Sequence, residues 1–195
     1  MTPADWVAGP RQGDWTYEAY AALTDDGERY EIVQGVLVMS PVPSGPHQGV
    51  TGKIYRYLCA QILDTRLGLV LPSPLDVVLS EQNMFQPDVV VLLKEHLTRY
   101  GVKRIIGAPD LLVEVISPSS KLYDRALKPL VYEQAGVPEY WLVDEEKRVI
   151  EVFTLESCKY RSLGAFEGVQ VLSSRIVPKI DVPVSYFFDW SNGLV

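Results

Sequence analysis

Cysteine and histidine are scarce: the 195-residue chain has two of each. Cys59 and Cys158 lie far apart and form no CxxC pair. That excludes a disulfide framework and points to a reducing compartment with free thiols. With so few thiols nearby, His47 and His96 do not make a zinc centre. No apolar run approaches the ~20 residues that span a bilayer, so no membrane association is expected. Met1–Pro10 has neither a basic segment nor an apolar stretch, so no signal peptide is expected and the location reads as cytoplasmic. Positive charge is in deficit, with 18 Lys and Arg against 25 Asp and Glu, a net charge of −7. An acidic chain is a poor default binder of phosphate backbones. What is plentiful is apolar and aromatic residues, 47% and 10% of the chain, enough for a core in a chain of this length.

The most informative stretch is Pro109–Ser119. Leu111–Ile116 is a continuous apolar run broken by one carboxylate, Glu114. Such a run predicts a strand buried on both faces. A charge inside it costs several kcal/mol unless it is paired, hydrogen-bonded or metal-bound. Around this strand the chain reads as a mixed α/β domain. Residues 1–13 form a loose arm, the core runs from about 30 to 155, and 156–195 add further strands, all within one domain. Thr16 caps a short helix over Tyr17–Leu23. Tyr30–Val33 and Val36–Met39 form a hairpin about Gln34-Gly35. The prolines make Ser40–His47 a loop. Val50, Ile54, Leu58 and Ile62 recur at helical spacing from Gly49 to about Arg66, and Gly49 and Gly52 suggest close backbone approach. Leu69–Leu71, Leu75–Leu79 and Phe85–Leu93 read as strands, and His96–Ile106 as a helical or irregular connector. Ser117–Ser120 offers helix caps, and a helix over Lys121–Ala135, kinked at Pro129, closes at Gly136. Glu139–Val143, Val149–Leu155, Val169–Leu172 and Ile176–Val184 complete the strands, before an apolar patch at Tyr186–Phe188.

Two Pro-Asp dipeptides occur, Pro87-Asp88 and Pro109-Asp110. Asp110 precedes Glu114 by four residues in one strand, about 13 Å away, too far to share an ion, and reads as a strand-start residue. Asp88 lies on another strand, and pairing brings such residues within about 5.5 Å. Asp88 and Glu114 are therefore the candidate pair. A divalent cation such as Mg²⁺ relieves both their burial and their repulsion; the alternative is an ion-pair network with Lys or Arg.

Gln86-Pro87-Asp88, then Pro109 to Ser119, then Asp124 and Lys128, then Gly136 to Asp144, resemble the Uma family, which itself is similar to the PD-(D/E)XK restriction-endonuclease superfamily. The similarity spans about Tyr30 to Leu155. It implies a restriction-endonuclease-like central mixed β-sheet flanked by helices, with extra N- and C-terminal strands. It also implies metal-dependent phosphodiester hydrolysis of nucleic acid, DNA foremost. Asp88 and Glu114, with the Val115 carbonyl, would hold Mg²⁺ or Mn²⁺. The superfamily lysine position is Ile116 here, and Lys128 on the following helix resembles a migrated substitute; its other reading is an ion pair with Asp124. Glu31 matches a family motif and would add an acid near the metal. His47 would line the same cleft or cap the helix. Gln86 is a further cleft candidate; Tyr140-Trp141 read as core, and so does Tyr132, with a hydroxyl reaching the cleft as its alternative. Against the acidic surface, Lys103, Arg104, Lys121, Arg125 and Lys128 are candidates for a local basic cleft. The alternative function is a structural or interaction domain that kept the fold without catalysis. A homodimer or higher homo-oligomer is expected, through exposed strands or Tyr186–Phe188.

Overall fold

A computed structural model describes residues 2–116 and 125–191. The expected caps at Ser117–Ser120, Lys121 and Asp124 lie outside the described residues. The fold is mixed α+β, and the expected central sheet is two packed six-stranded sheets.

The first sheet starts from the expected hairpin, β2 (Tyr30–Val33) and β3 (Val36–Met39). Gln34 and Gly35 both have positive φ, 50° and 74°, which suits a primed two-residue turn. In spatial order this sheet is β1 (Thr2–Pro3), β3, β2, β6 (Asn83–Phe85), β5 (Asp76–Ser80) and β8 (Arg104–Ile106). The second sheet is β12 (Lys159–Glu167), β11 (Val149–Glu156), β10 (Glu139–Asp144), β9 (Leu111–Ile116), β7 (Val89–Leu93) and β4 (Gly68–Pro72). β9 and β10 run parallel at its centre, while β7 pairs antiparallel with β9.

Among the described residues the α-helices that accompany the sheets are α1 (Tyr17–Ala21), α2 (Gly45–Leu58), α3 (Lys128–Ala135) and α4 (Ser185–Phe188). Val113 and Val115 of β9 pack with Val50, Ile54 and Tyr57 of α2 and with Phe187 of α4. Leu112 and Ile116, on the opposite face, join Val33, Val38 and Phe85 of the first sheet and Tyr132 of α3. The outer face of the first sheet, Ile32, Leu37 and Met84, is covered by Ala4 and Trp15. The layers are thus α2 and α4, second sheet, first sheet with α3, and the N-terminal segment.

Several expectations are corrected. The N-terminal segment is tied down: Thr2 and Pro3 pair with β3, and Trp15 is buried. α2 begins inside the expected loop, because Ser44 caps it, accepting from the His47 amide at 3.2 Å, and Pro46 sits in the first turn, where a missing N–H has no consequence. It continues as a π-helical turn over Cys59–Leu63. The expected strand Phe85–Leu93 is two strands in different sheets, with Gln86-Pro87-Asp88 crossing between them. Pro129 stands in the first turn of α3, and the helical residues Arg125 and Ala126 are separated from α3 by a turn at Leu127, so the chain breaks next to the proline where a kink is expected. The C-terminal strand is the polar Lys159–Glu167, while Val169–Val184 contributes one isolated bridge, Val171 to Pro183. A Cβ at Gly49 would collide with the Trp190 ring, whereas one at Gly52 meets nothing within 4 Å. Phe187 and Phe188 are buried on α2 rather than exposed. Among the described residues no helix is long and apolar enough to cross a membrane.

Candidate active site

Strand alternation decides which acids turn inward. In β2, Tyr30 and Ile32 face the N-terminal segment, so Glu31 and Val33 face the inter-sheet layer. In β9, Glu114 lies between Leu112 and Ile116 and turns to that same layer. Two carboxylates therefore meet across the layer, and α3 delivers Lys128 between them. The Lys128 ammonium lies 3.0 Å from Glu114 Oε1 and 3.1 Å from Glu31 Oε2. The Tyr132 hydroxyl, one turn on, donates to Glu114 Oε1 at 2.6 Å, and the Gln86 amide donates to Glu31 Oε1 at 2.9 Å. All of these groups are buried. Burial, then the charges of Glu114 and Glu31, push the Tyr132 phenol well above its ordinary pKa, so it keeps its proton for Glu114.

Asp88 sits immediately before the start of β7, one residue ahead of the Val89–Val113 pair. Its Oδ2 accepts the Val115 amide at 2.8 Å and lies 3.3 Å from His47 Nε2, in the first turn of α2. Burial alone would lower the His47 pKa. The Asp88 carboxylate, through a hydrogen bond and its charge, and the Val115 carbonyl raise it above the usual value. His47 Nδ1 and Thr51 Oγ1, one turn along α2, are buried with no hydrogen-bond partner. Glu145, after β10, is raised by burial and feels the charge of His47. Asp88, His47 and Thr51 line an open cavity of about 280 Å³.

The expected residues thus fall into two adjacent groups. Glu31, Glu114 and Lys128 come together inside; Asp88, His47 and Val115 come together at the rim. Among the described residues, Asp88 and Glu114 share no hydrogen-bond partner. The groups are joined through consecutive residues of β9, Glu114 and Val115. The chemistry of the donors fits a hard divalent cation: two carboxylates and one carbonyl are all oxygen ligands. The rim already favours positive charge, since Asp88 and the Val115 carbonyl both promote the imidazolium of His47. With only two carboxylates in the set, no group of three His, Cys, Asp or Glu side chains forms a metal cluster among the described residues.

Other candidates lie elsewhere. Asp110 stands immediately before β9, as expected of a strand-start residue; it is buried, accepts the Leu93 amide at 2.7 Å and pairs with His96 at 2.7 Å, a structural staple. Arg125 pairs with Asp144 and Glu151, and Arg104 lies over the Tyr17 ring. Arg29 and Glu145 were missed as site residues, and Tyr132, read as core, takes its alternative role with its hydroxyl on Glu114. For Tyr132 the signal was its i+4 spacing from Lys128; Arg29 and Glu145 had none, because only the fold carries them to the rim.

The family model described as "Uma2: Putative restriction endonuclease" matches residues 17–185. "Uncharacterized protein sll1609" of Synechocystis sp. (strain ATCC 27184 / PCC 6803 / Kazusa) is 25% identical over 119 residues, covering 60% of this chain and 67% of that one. A crystal structure described as a "putative nuclease belonging to DUF820", from Anabaena variabilis ATCC 29413, superposes with a TM-score of 0.76 at 17% identity, covering 90% of this chain and 98% of that one. That likeness establishes the shared fold.

Proposed function

From the premise that the chain belongs to the Uma2 family, we propose that it is a Mg²⁺-dependent nuclease, with Mn²⁺ as substitute, hydrolysing phosphodiester bonds of DNA. The observation that carries this reading is the convergence of the Asp88 carboxylate and the Val115 carbonyl on His47 at the rim of a cavity, beside Glu114 on the same strand. Asp88, Glu114 and the Val115 carbonyl are the residues that would hold the cation. When bound, Mg²⁺ polarises a phosphate and lowers the pKa of a nearby water.

The chain's own groups do the rest. Lys128 acts through Glu114 rather than on substrate: buried at 2% exposure, its ammonium bridges both inter-sheet carboxylates and fixes their positions. Tyr132 fixes the Glu114 carboxylate by its hydroxyl bond. His47 holds a proton at Nε2 against Asp88, where it faces the cavity and can pass it to a departing oxygen.

A second reading, an interaction domain without catalysis, is favoured by Ile116 at the superfamily lysine position and by the engagement of Glu114 with Lys128 and Tyr132. Conversion of supercoiled plasmid to open circles with Mg²⁺ or Mn²⁺ separates the two. The nuclease reading expects nicking by the wild type and its loss in Asp88→Ala and Glu114→Ala. Nicking that persists in both variants contradicts the site. A wild type that never nicks supports the interaction domain.

A further inference from the structure

Arg29, immediately before β2, borders the same cavity as Asp88 and His47. Neutral acceptors hold its guanidinium. Nε donates to Gln86 Oε1 at 3.1 Å, and Nη2 donates to Ser73 Oγ at 2.6 Å and to the Gln86 carbonyl at 3.4 Å. Gln86 is buried and braced in turn, its Nε2 donating to Asp76 Oδ1 at 2.9 Å. Among the described residues no carboxylate pairs with Arg29, and its Nη1 makes no hydrogen bond. A pre-positioned arginine without a counter-ion, in a chain with a net charge of −7, calls for an anion. His47 and Thr51 of α2 also line the cavity, and their Nδ1 and Oγ1 atoms are buried without partners. The remaining walls are apolar and aromatic: Tyr55 of α2 on one side, Pro72 and Pro74 on the other.

Size selects the ligand. About 280 Å³ stands at the foot of the roughly 300–1,000 Å³ range of small-molecule pockets. It is of the order of one nucleotide. The acidic surface also gives a long duplex little to follow.

We propose that this cavity is a subsite for one unpaired nucleotide of a single-stranded nucleic acid. Arg29 takes the phosphate, the base lies against Tyr55, and the adjoining phosphodiester is presented to Asp88 and His47. The identity of the ligand rests on the nuclease reading above. Stacking on an aromatic ring tolerates any base, so the preference is for unpaired strand over duplex rather than for sequence.

Gly52 supplies a clean test. It lines the cavity, and a Cβ placed there meets nothing within 4 Å, so Gly52→Trp introduces its ring from an open position on the cavity wall. Fluorescence anisotropy without divalent metal compares a short oligothymidylate with a blunt duplex of equal length. The wild type is expected to bind the single strand roughly tenfold more tightly than the duplex. Arg29→Met and Gly52→Trp are each expected to lose about that factor for the single strand, with the folded circular dichroism spectrum retained. Equal affinity for the two forms, or single-strand affinity unmoved by both substitutions, overturns the subsite. Plasmid nicking that depends on Asp88 without any single-strand preference overturns the subsite alone. Single-strand binding that needs Arg29 and Gly52, in a protein that never nicks, upholds the subsite and overturns hydrolysis.

Discussion

The interior group around Lys128 and the rim group around Asp88 are built from similar residues and do opposite things. Inside, one ammonium meets two carboxylates and a phenol, all buried. At the rim, one carboxylate meets an imidazole and a backbone amide at the edge of a cavity, and buried polar atoms nearby have no partner. The first group ties β2, β9 and α3 together; the second has access to a ligand. Charge buried and matched acts as a structural tie, whereas charge at an open edge can do chemistry. The two are coupled because Glu114 and Val115 are neighbours on one strand.

Removing the interior cation should show this contrast most strongly. Lys128→Met removes the ammonium that lies between the buried carboxylates of Glu31 and Glu114. It should lower stability by about 3–5 kcal/mol in a urea titration; a loss under about 1 kcal/mol would mean that the carboxylates reach water. Tyr132→Phe keeps the ring but removes a hydrogen bond to a charged acceptor. A loss of about 1.5–3 kcal/mol is expected by thermal melting, and a neutral effect would show that the hydroxyl does not hold Glu114.

The smallest effect belongs to the rim. His47→Gln should cost about 1 kcal/mol or less, and its effect should depend on pH. The folded pKa of His47 is raised. Its contribution is therefore fully present below the unfolded value of about 6.5 and is lost as pH rises through the folded value. Melting across that range should show the wild type losing more stability than His47→Gln on going alkaline. Parallel profiles would mean that His47 is not an imidazolium against Asp88.

Much of this arrangement was legible in the sequence, for physical reasons. The Tyr30–Met39 hairpin was legible because Gln34-Gly35 suits a tight turn between apolar pieces. Glu114 was conspicuous because a lone carboxylate in a buried strand demands partners. Other features carried no local signal. Phe85–Leu93 is apolar throughout, so nothing in its pattern marks the passage between sheets; only Pro87, which lacks an amide for a ladder, hinted at it. Lys159–Glu167 is polar because it is an edge strand, and its composition resembles a loop. Pairing Asp88 directly with Glu114 assumed one uninterrupted strand. The sheet change at Gln86–Asp88 instead aims Asp88 at α2, while Glu114 stays inside. Arg29 depended on Ser73 and Gln86, which are remote in sequence.

The central claim is that Asp88, Glu114 and the Val115 carbonyl form one cation site across the two groups. Isothermal titration of Mn²⁺ into the wild type, Asp88→Ala and Glu114→Ala tests it most directly. One bound equivalent in the wild type, lost in both variants, is the predicted result. Binding that survives either substitution, or no binding to the wild type, contradicts it.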